Sequence, residues 1–154
     1  MHQENSFLLE VVEKYGRKQE SLLPILQSVV ERQNYLSEEM ILDISNELDI
    51  SAAQVYGTAT FYSFLDIEPR GKYVIRLCKT ITCEMRGKKL ILQTLEDLLK
   101  IKLGETTKDR KFTILETNCL GQCHKGPAML VNNEVFTELT PEKVSDIINE
   151  FRNK

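Results

Sequence analysis

Lys72-Tyr73-Val74-Ile75-Arg76-Leu77-Cys78-Lys79-Thr80-Ile81-Thr82-Cys83 opens the half of the chain in which fold and chemistry are decided. Its first six residues are rich in β-branched, aromatic and other apolar side chains, the signature of a strand. The strand runs into a loop with two cysteines, Cys78 and Cys83, with four residues between them. Downstream the arrangement recurs. Phe112-Thr113-Ile114-Leu115 reads as a second strand and leads to Cys119-Leu120-Gly121-Gln122-Cys123, where three residues separate the cysteines. Two strands that each lead into a cysteine pair should deliver both loops to the same edge of a sheet. That geometry can bring four thiolates to one point.

Between the strands, Ile91, Leu92, Leu95, Leu98 and Leu99 share one face of a helix expected over residues 87–100. Short strands are expected around 128–131 and 134–136. Thr140 then caps a last helix with Pro141 at its first position, where a missing N–H costs nothing. The order β-α-β-β-α implies a mixed sheet packed against helices.

Upstream, Glu68-Pro69-Arg70-Gly71 reads as a turn that separates two unlike halves. Before it the apolar spacing is helical: Leu8, Val12 and Tyr15, then Leu22, Ile25, Leu26 and Val29, then Met40, Ile41, Ile44 and Leu48. Ser37 ahead of Glu38 and Glu39 marks one helix start, and Ser51 with Gln54 forms a capping box for another that runs toward Phe61. Pro24 falls early enough after Ser21 to sit in a first turn. Phe61, Tyr62 and Phe64 form an aromatic group at the end of these helices and are expected to pack in the core or between domains. The fold class is therefore α+β, with a helical bundle over residues 1–70 and a mixed-sheet domain over 71–154.

Bulk properties narrow the function. The 154-residue chain is 42% hydrophobic and 28% charged, a globular balance. A net charge of -3 gives no reason to expect nucleic acid, and no apolar run is long enough for membrane insertion. Met1-His2-Gln3-Glu4-Asn5 is polar and lacks the features of a secretory signal, so a cytoplasmic location is expected. Thiols stay reduced there and structural bridges are rare, so four cysteines call for another explanation.

Three cofactor chemistries are open to Cys78, Cys83, Cys119 and Cys123. Zinc prefers tight C-x₂-C knuckles, which neither pair offers. A [2Fe–2S] cluster is wider, with two thiolates on each iron, and looser loops suit it. A thiol–disulfide enzyme would use C-x-x-C, which is absent. A Rieske centre needs two histidines, but one of the two here is His2, in a terminal segment expected to fray. The spacings favour one [2Fe–2S] cluster, with a zinc-stapled interaction module as the alternative from another class. Gly121 and Gly126 allow backbone conformations that aim N–H groups at sulfur. Lys79, Arg86, Lys88, Lys89 and Lys125 lie close enough in sequence to offset an anionic cluster, and an ordinary solvated surface is the equal alternative for them. Cys83, just ahead of the 87–100 helix, is expected to feel its positive end. His124, beside Cys123, reads as a surface residue.

The motif Cys78-x₄-Cys83-x-x-Arg86-Gly87, with Asn118-Cys119-Leu120-Gly121-Gln122-Cys123 and Gly126-Pro127-Ala128-Met129, resembles the thioredoxin-like [2Fe–2S] ferredoxin family. Leu22-Leu23-Pro24 and Val55-Tyr56-Gly57-Thr58-Ala59-Thr60-Phe61-Tyr62 are similar to further signatures of that family, so the likeness covers nearly the whole chain. The family includes the small iron–sulfur subunit of respiratory complex I and small subunits of NAD-linked or electron-bifurcating hydrogenases and of NAD-linked formate dehydrogenases. The resemblance implies a thioredoxin-like sheet domain, and a partner flavoprotein that carries FMN and NAD(H), neither of them bound by this chain. It also implies further iron–sulfur subunits and a docking role for the helical half. Gly126 departs from the family, many of whose members have alanine before the proline. Pro127 sits just before an expected strand, as the cis proline does in thioredoxin-like folds; without the resemblance, an ordinary trans proline ending a loop is the expectation. No residue looks like a substrate-transforming acid, base or nucleophile. The expected role is the electron-transferring subunit of an oxidoreductase complex, with a hydrogenase the leading assignment and complex I or formate dehydrogenase the alternatives.

Overall fold

Ser37 and Ser51 begin their helices as their hydroxyl chemistry dictates. Each has an extended backbone, and each hydroxyl accepts the N–H three residues on, Ser37 from Met40 at 3.1 Å and Ser51 from Gln54 at 3.2 Å. The computed structural model describes the backbone of residues 2–154 and the side chains from residue 6 on; the side chain of His2 lies outside the described residues. The chain forms two compact units, Met1–Pro69 and Arg70–Lys154.

The first unit holds α1 (His2–Tyr15), α2 (Leu22–Gln33), α3 (Glu38–Leu48) and α4 (Ala52–Phe61). Pro24 takes the third position of α2, where no helical bond is owed by its nitrogen. Asn34 and Asp49 end α2 and α3 in the left-handed region, which their short polar side chains tolerate. The expected apolar faces form the core: Leu22, Ile25, Leu26 and Val29 of α2 and Met40, Ile41, Ile44 and Leu48 of α3 are buried with Leu8, Val12, Val55 and Ala59. Aromatic residues at two helix ends stand outside this core. Tyr15, the last residue of α1, is 38% exposed, because Gly16 turns the chain away immediately after it at a φ of 88°. Phe61 is 79% exposed and makes an edge contact with the exposed Tyr62, so neither is core. Both follow Ala59, the last buried residue of α4, whose final residue is Phe61.

The second unit holds β1 (Tyr73–Cys78), α5 (Ile81–Met85), α6 (Lys88–Leu99), β2 (Phe112–Thr117), β3 (Met129–Val131), β4 (Glu134–Phe136) and α7 (Pro141–Asn153). Its mixed sheet has the order β2-β1-β3-β4, with β1 and β2 parallel and the other pairs antiparallel. This is the expected α+β architecture. Every residue of the central β1 is buried, as a strand with neighbours on both sides demands. Tyr73, Ile75 and Leu77 of β1 join Ile91, Leu95 and Leu99 of α6 and Val144, Ile148 and Phe151 of α7 in one apolar cluster. Thr140 caps α7 by accepting the Lys143 N–H. One element departs from expectation: the segment after Cys78 is a single helical turn, α5, closed by Glu84 N–H to Thr80 O at 3.0 Å. Five residues are too few for an apolar period to register. Among the described residues, no helix is long and apolar enough to cross a membrane.

Lys88 starts α6 as a buried cation. Its ammonium is bound by Glu116 of β2 and lies 3.3 Å from Glu84. Burial works against its charge, but the bonds and charges of Glu116 and then Glu84 outweigh that and raise its pKa above 10.5. A raised lysine stabilises the fold below its unfolded pKa, and that contribution disappears as pH climbs through the folded value. The wild type is therefore expected to lose stability in alkali from about pH 10 upward. In denaturation midpoints taken across that range, Lys88→Met should start lower and show a shallower alkaline decline. Parallel curves for the two proteins would contradict this role.

Candidate functional site

The parallel register, Tyr73 beside Phe112 through Cys78 beside Thr117, puts the C-terminal ends of β1 and β2 together. Cys78 is the last residue of β1 and is held on its other side by its N–H to Ala128 O at 3.0 Å. Lys79 N–H continues the ladder to Thr117 O at 2.9 Å. Cys119 follows β2 by two residues, Cys83 rides on α5, and Cys123 opens a 3-10 turn, Cys123–Lys125. All four thiols are free. Cys119 Sγ and Cys123 Sγ stand 3.2 Å apart, well beyond a disulfide bond of about 2.05 Å. Cys78 and Cys83 form a second hydrogen-bonded pair, and Cys123 feels the charges of both. The two pairs differ in setting: Cys78 and Cys83 are buried, Cys119 is exposed and Cys123 half-buried.

Hydrogen bonds from both loops reach the sulfurs. Burial works to raise the Cys78 thiol, yet bonds from the Thr80 hydroxyl and backbone, the Cys83 thiol and the Leu120 backbone bring it below its ordinary value. Burial pushes the Cys83 thiol up, and its bond with Cys78 adds to this, against an opposing bond from the Ala128 backbone. The bond with Cys119, and then its charge, raises Cys123. Gly121 meets its expected role: at a φ of 76° its N–H points to Cys119 Sγ at 3.3 Å. Gly126 serves differently. Its φ is ordinary, but a Cβ there would stand 3.1 Å from Cys83 Sγ. The Gly126–Pro127 bond is cis.

The cationic residues divide. Lys79, Arg86, Lys89 and Lys125 are exposed, while Lys88 is committed to Glu116 and Glu84 and does not serve as a free counter-charge. Arg86 has a more specific part: its Nη1 donates to the carbonyl of His124 at 2.8 Å, tying the Cys83 segment to the Cys123 segment. His124 enters through that backbone oxygen and its side chain is exposed. Arg86→Met is expected to weaken this tie, costing about 1–2 kcal/mol for a lost charged donor. Chemical denaturation and the rate of cluster loss to a chelator would report it. Unchanged values in both would show that the tie is idle.

Sequence reading missed Thr80 and Leu120. A hydroxyl two residues after Cys78 is a common local bonding pattern and was the available signal for Thr80. The Leu120 contact crosses between loops and has no local signature.

The donor set suits an iron–sulfur cluster. Four soft sulfur donors stand two by two, the pattern of two irons that each take two thiolates. Among the described residues, no three Cys, His, Asp or Glu side chains surround a single point as one metal ion requires.

A mixed sheet that presents two cysteine pairs at one end defines, by its donor chemistry, a thiolate cofactor protein. The chain belongs to the thioredoxin-like [2Fe–2S] ferredoxin family, whose match runs over residues 8–152, and its cofactor is accordingly one [2Fe–2S] cluster. It is 39% identical over 127 residues to an NADH-quinone oxidoreductase subunit of Buchnera aphidicola, covering 82% of this chain and 78% of the relative. With the corresponding NADH-quinone oxidoreductase subunit of Rickettsia bellii it shares 36% over 148 residues, 94% of this chain and 88% of the relative. Among solved structures, an air-oxidized NAD+-reducing [NiFe]-hydrogenase superposes with a TM-score of 0.76 over 86% of this chain. At 21% identity that likeness is one of fold, and the match spans only 23% of the hydrogenase chain.

Proposed function

We propose that this chain is the one-electron-transfer subunit of a multi-subunit NAD-linked oxidoreductase, with Cys78, Cys83, Cys119 and Cys123 as the cluster ligands. The observation that carries the reading is the meeting of two free cysteine pairs at the C-terminal ends of two parallel strands. The cluster supplies one-electron storage. The chain's own residues fix the sulfurs and set the field around them: backbone N–H groups of Leu120, Gly121 and Ala128 favour negative charge there. The chain itself needs no acid, base or nucleophile for that task.

The type of complex favoured is an NADH-quinone oxidoreductase rather than the hydrogenase expected from sequence reading. Support comes from the NADH-quinone oxidoreductase relatives, which are closer in sequence than the hydrogenase and matched over most of their length. An NAD-linked formate dehydrogenase is the other alternative of the same class. The partners in this reading are a flavoprotein that binds FMN and NAD(H) and further iron–sulfur subunits, in the cytoplasm. Residues 1–70 are the docking element, and exposed Tyr56, Phe61 and Tyr62 suit that role because aromatics are enriched in interfaces.

The test is NADH-driven reduction. The full chain is mixed anaerobically with an FMN-binding, NADH-oxidising flavoprotein subunit of an NADH-quinone oxidoreductase, and NADH is added. A [2Fe–2S] electron paramagnetic resonance signal that needs both NADH and the flavoprotein is the expected result. A cluster that dithionite reduces and NADH with flavoprotein does not would overturn the assignment.

A further inference from the structure

Thr80 sits between the two cysteines of the buried pair, with Oγ1 3.1 Å from Cys78 Sγ. Its backbone is extended at the start of α5, and its hydroxyl makes no capping bond there, so the helix does not occupy it. The hydroxyl also reaches Cys83. In the free thiol state either atom of the Thr80–Cys78 pair can donate. A cysteine bound to iron has no proton to give, so the direction becomes fixed and the threonine must donate. Threonine is stiff at χ1, which holds the donor in place before the metal arrives. The remaining described donors to these sulfurs, at Thr80 itself, Leu120, Gly121 and Ala128, are backbone amides that no side-chain substitution deletes.

We propose that Thr80 is a positioning residue for the Cys78 ligand, and that its hydroxyl raises the reduction potential of the cluster. The inference rests on Cys78 being a ligand, as proposed above. A donor aimed at a ligand sulfur stabilises the more negative, reduced cluster more than the oxidised one, and so moves the potential upward. Thr80→Val keeps the shape and removes the donor, Thr80→Ser keeps the donor, and Thr80→Ala removes the donor with less bulk.

The experiment is a potentiometric titration of the full chain and these variants, followed by electron paramagnetic resonance, with iron and sulfide content measured on the same samples. Thr80→Val and Thr80→Ala should titrate at a more negative midpoint. At the wild-type midpoint their reduced-to-oxidised ratio should fall about fivefold, the worth of one ordinary hydrogen bond. Thr80→Ser should titrate with the wild type. A loaded Thr80→Val or Thr80→Ala at the wild-type midpoint overturns the proposal, as does loss of cluster in both without a shifted fraction. A wild-type chain with no [2Fe–2S] signal would instead remove the ligand assignment beneath it, so the two failures are distinguishable.

Discussion

Cys78→Ser is expected to reduce cluster occupancy at least about tenfold, while Cys119→Ser leaves a measurable fraction of the cluster in place. The difference follows from the settings of the two pairs. Cys78 ends a fully buried strand, and its sulfur is met by Thr80, Leu120 and Cys83 at fixed positions. A serine oxygen there is a harder donor on a shorter bond, and the strand cannot move to compensate. Cys119 is exposed, on a loop turned by Gly121, where the backbone can shift and water can enter. Iron and acid-labile sulfide per chain, measured on variants purified side by side without oxygen, decide the matter. Equal retention in the two variants would contradict the asymmetry, and full retention in Cys78→Ser would remove it from the ligand set.

Gly71→Ala should destabilise the sheet unit by about 3 kcal/mol, the upper part of the range for overpacking. An added Cβ would meet Lys111 C, Phe112 C and Phe112 N of the neighbouring strand segment, each at 2.9 Å. These are backbone atoms, which cannot swing aside as a flexible side chain can. The Gly71 N–H also donates to Thr113 Oγ1 at 2.7 Å in a buried setting, so the chain is pinned where the crowding falls. Relief requires β1 and β2 to part at their first paired residues, Tyr73 and Phe112. Because these two strands carry the cysteine pairs, cluster retention should fall as well. Thermal denaturation should show a midpoint lower by roughly 10 °C. A variant that melts with the wild type would show that the strands part at no cost.

Sequence reading located Gly71 in a turn, but nothing local reveals that another backbone passes so close. That contrast runs through the molecule. Ser37, Ser51 and Thr140 were legible as helix starts because capping chemistry is confined to four residues. The apolar faces of α2, α3 and α6 were legible because burial imposes a period on sequence. The strands β1 and β2 were legible from composition, and their shared end followed once both led into cysteines. The exposure of Tyr15 and Phe61 is not legible in the sequence, because periodicity carries no information on where a helix leaves the core. At the site, the four cysteines stood out by type and spacing. The burial of Lys88 in an ion pair is not legible in the sequence, because its partners lie on other elements, Glu116 twenty-eight positions away. The Arg86 tie to His124 and the Leu120 bond to Cys78 are likewise products of the fold, invisible before the loops meet.

The central claim is that four thiolates of this chain hold two irons. Its most direct test is the iron, zinc and acid-labile sulfide content of the full chain purified without oxygen, with an electron paramagnetic resonance spectrum after dithionite reduction. About two irons and two sulfides per chain, with a spin-one-half signal, are predicted. About one zinc per chain, with no sulfide and no signal, would contradict the account and make the cysteines a structural staple.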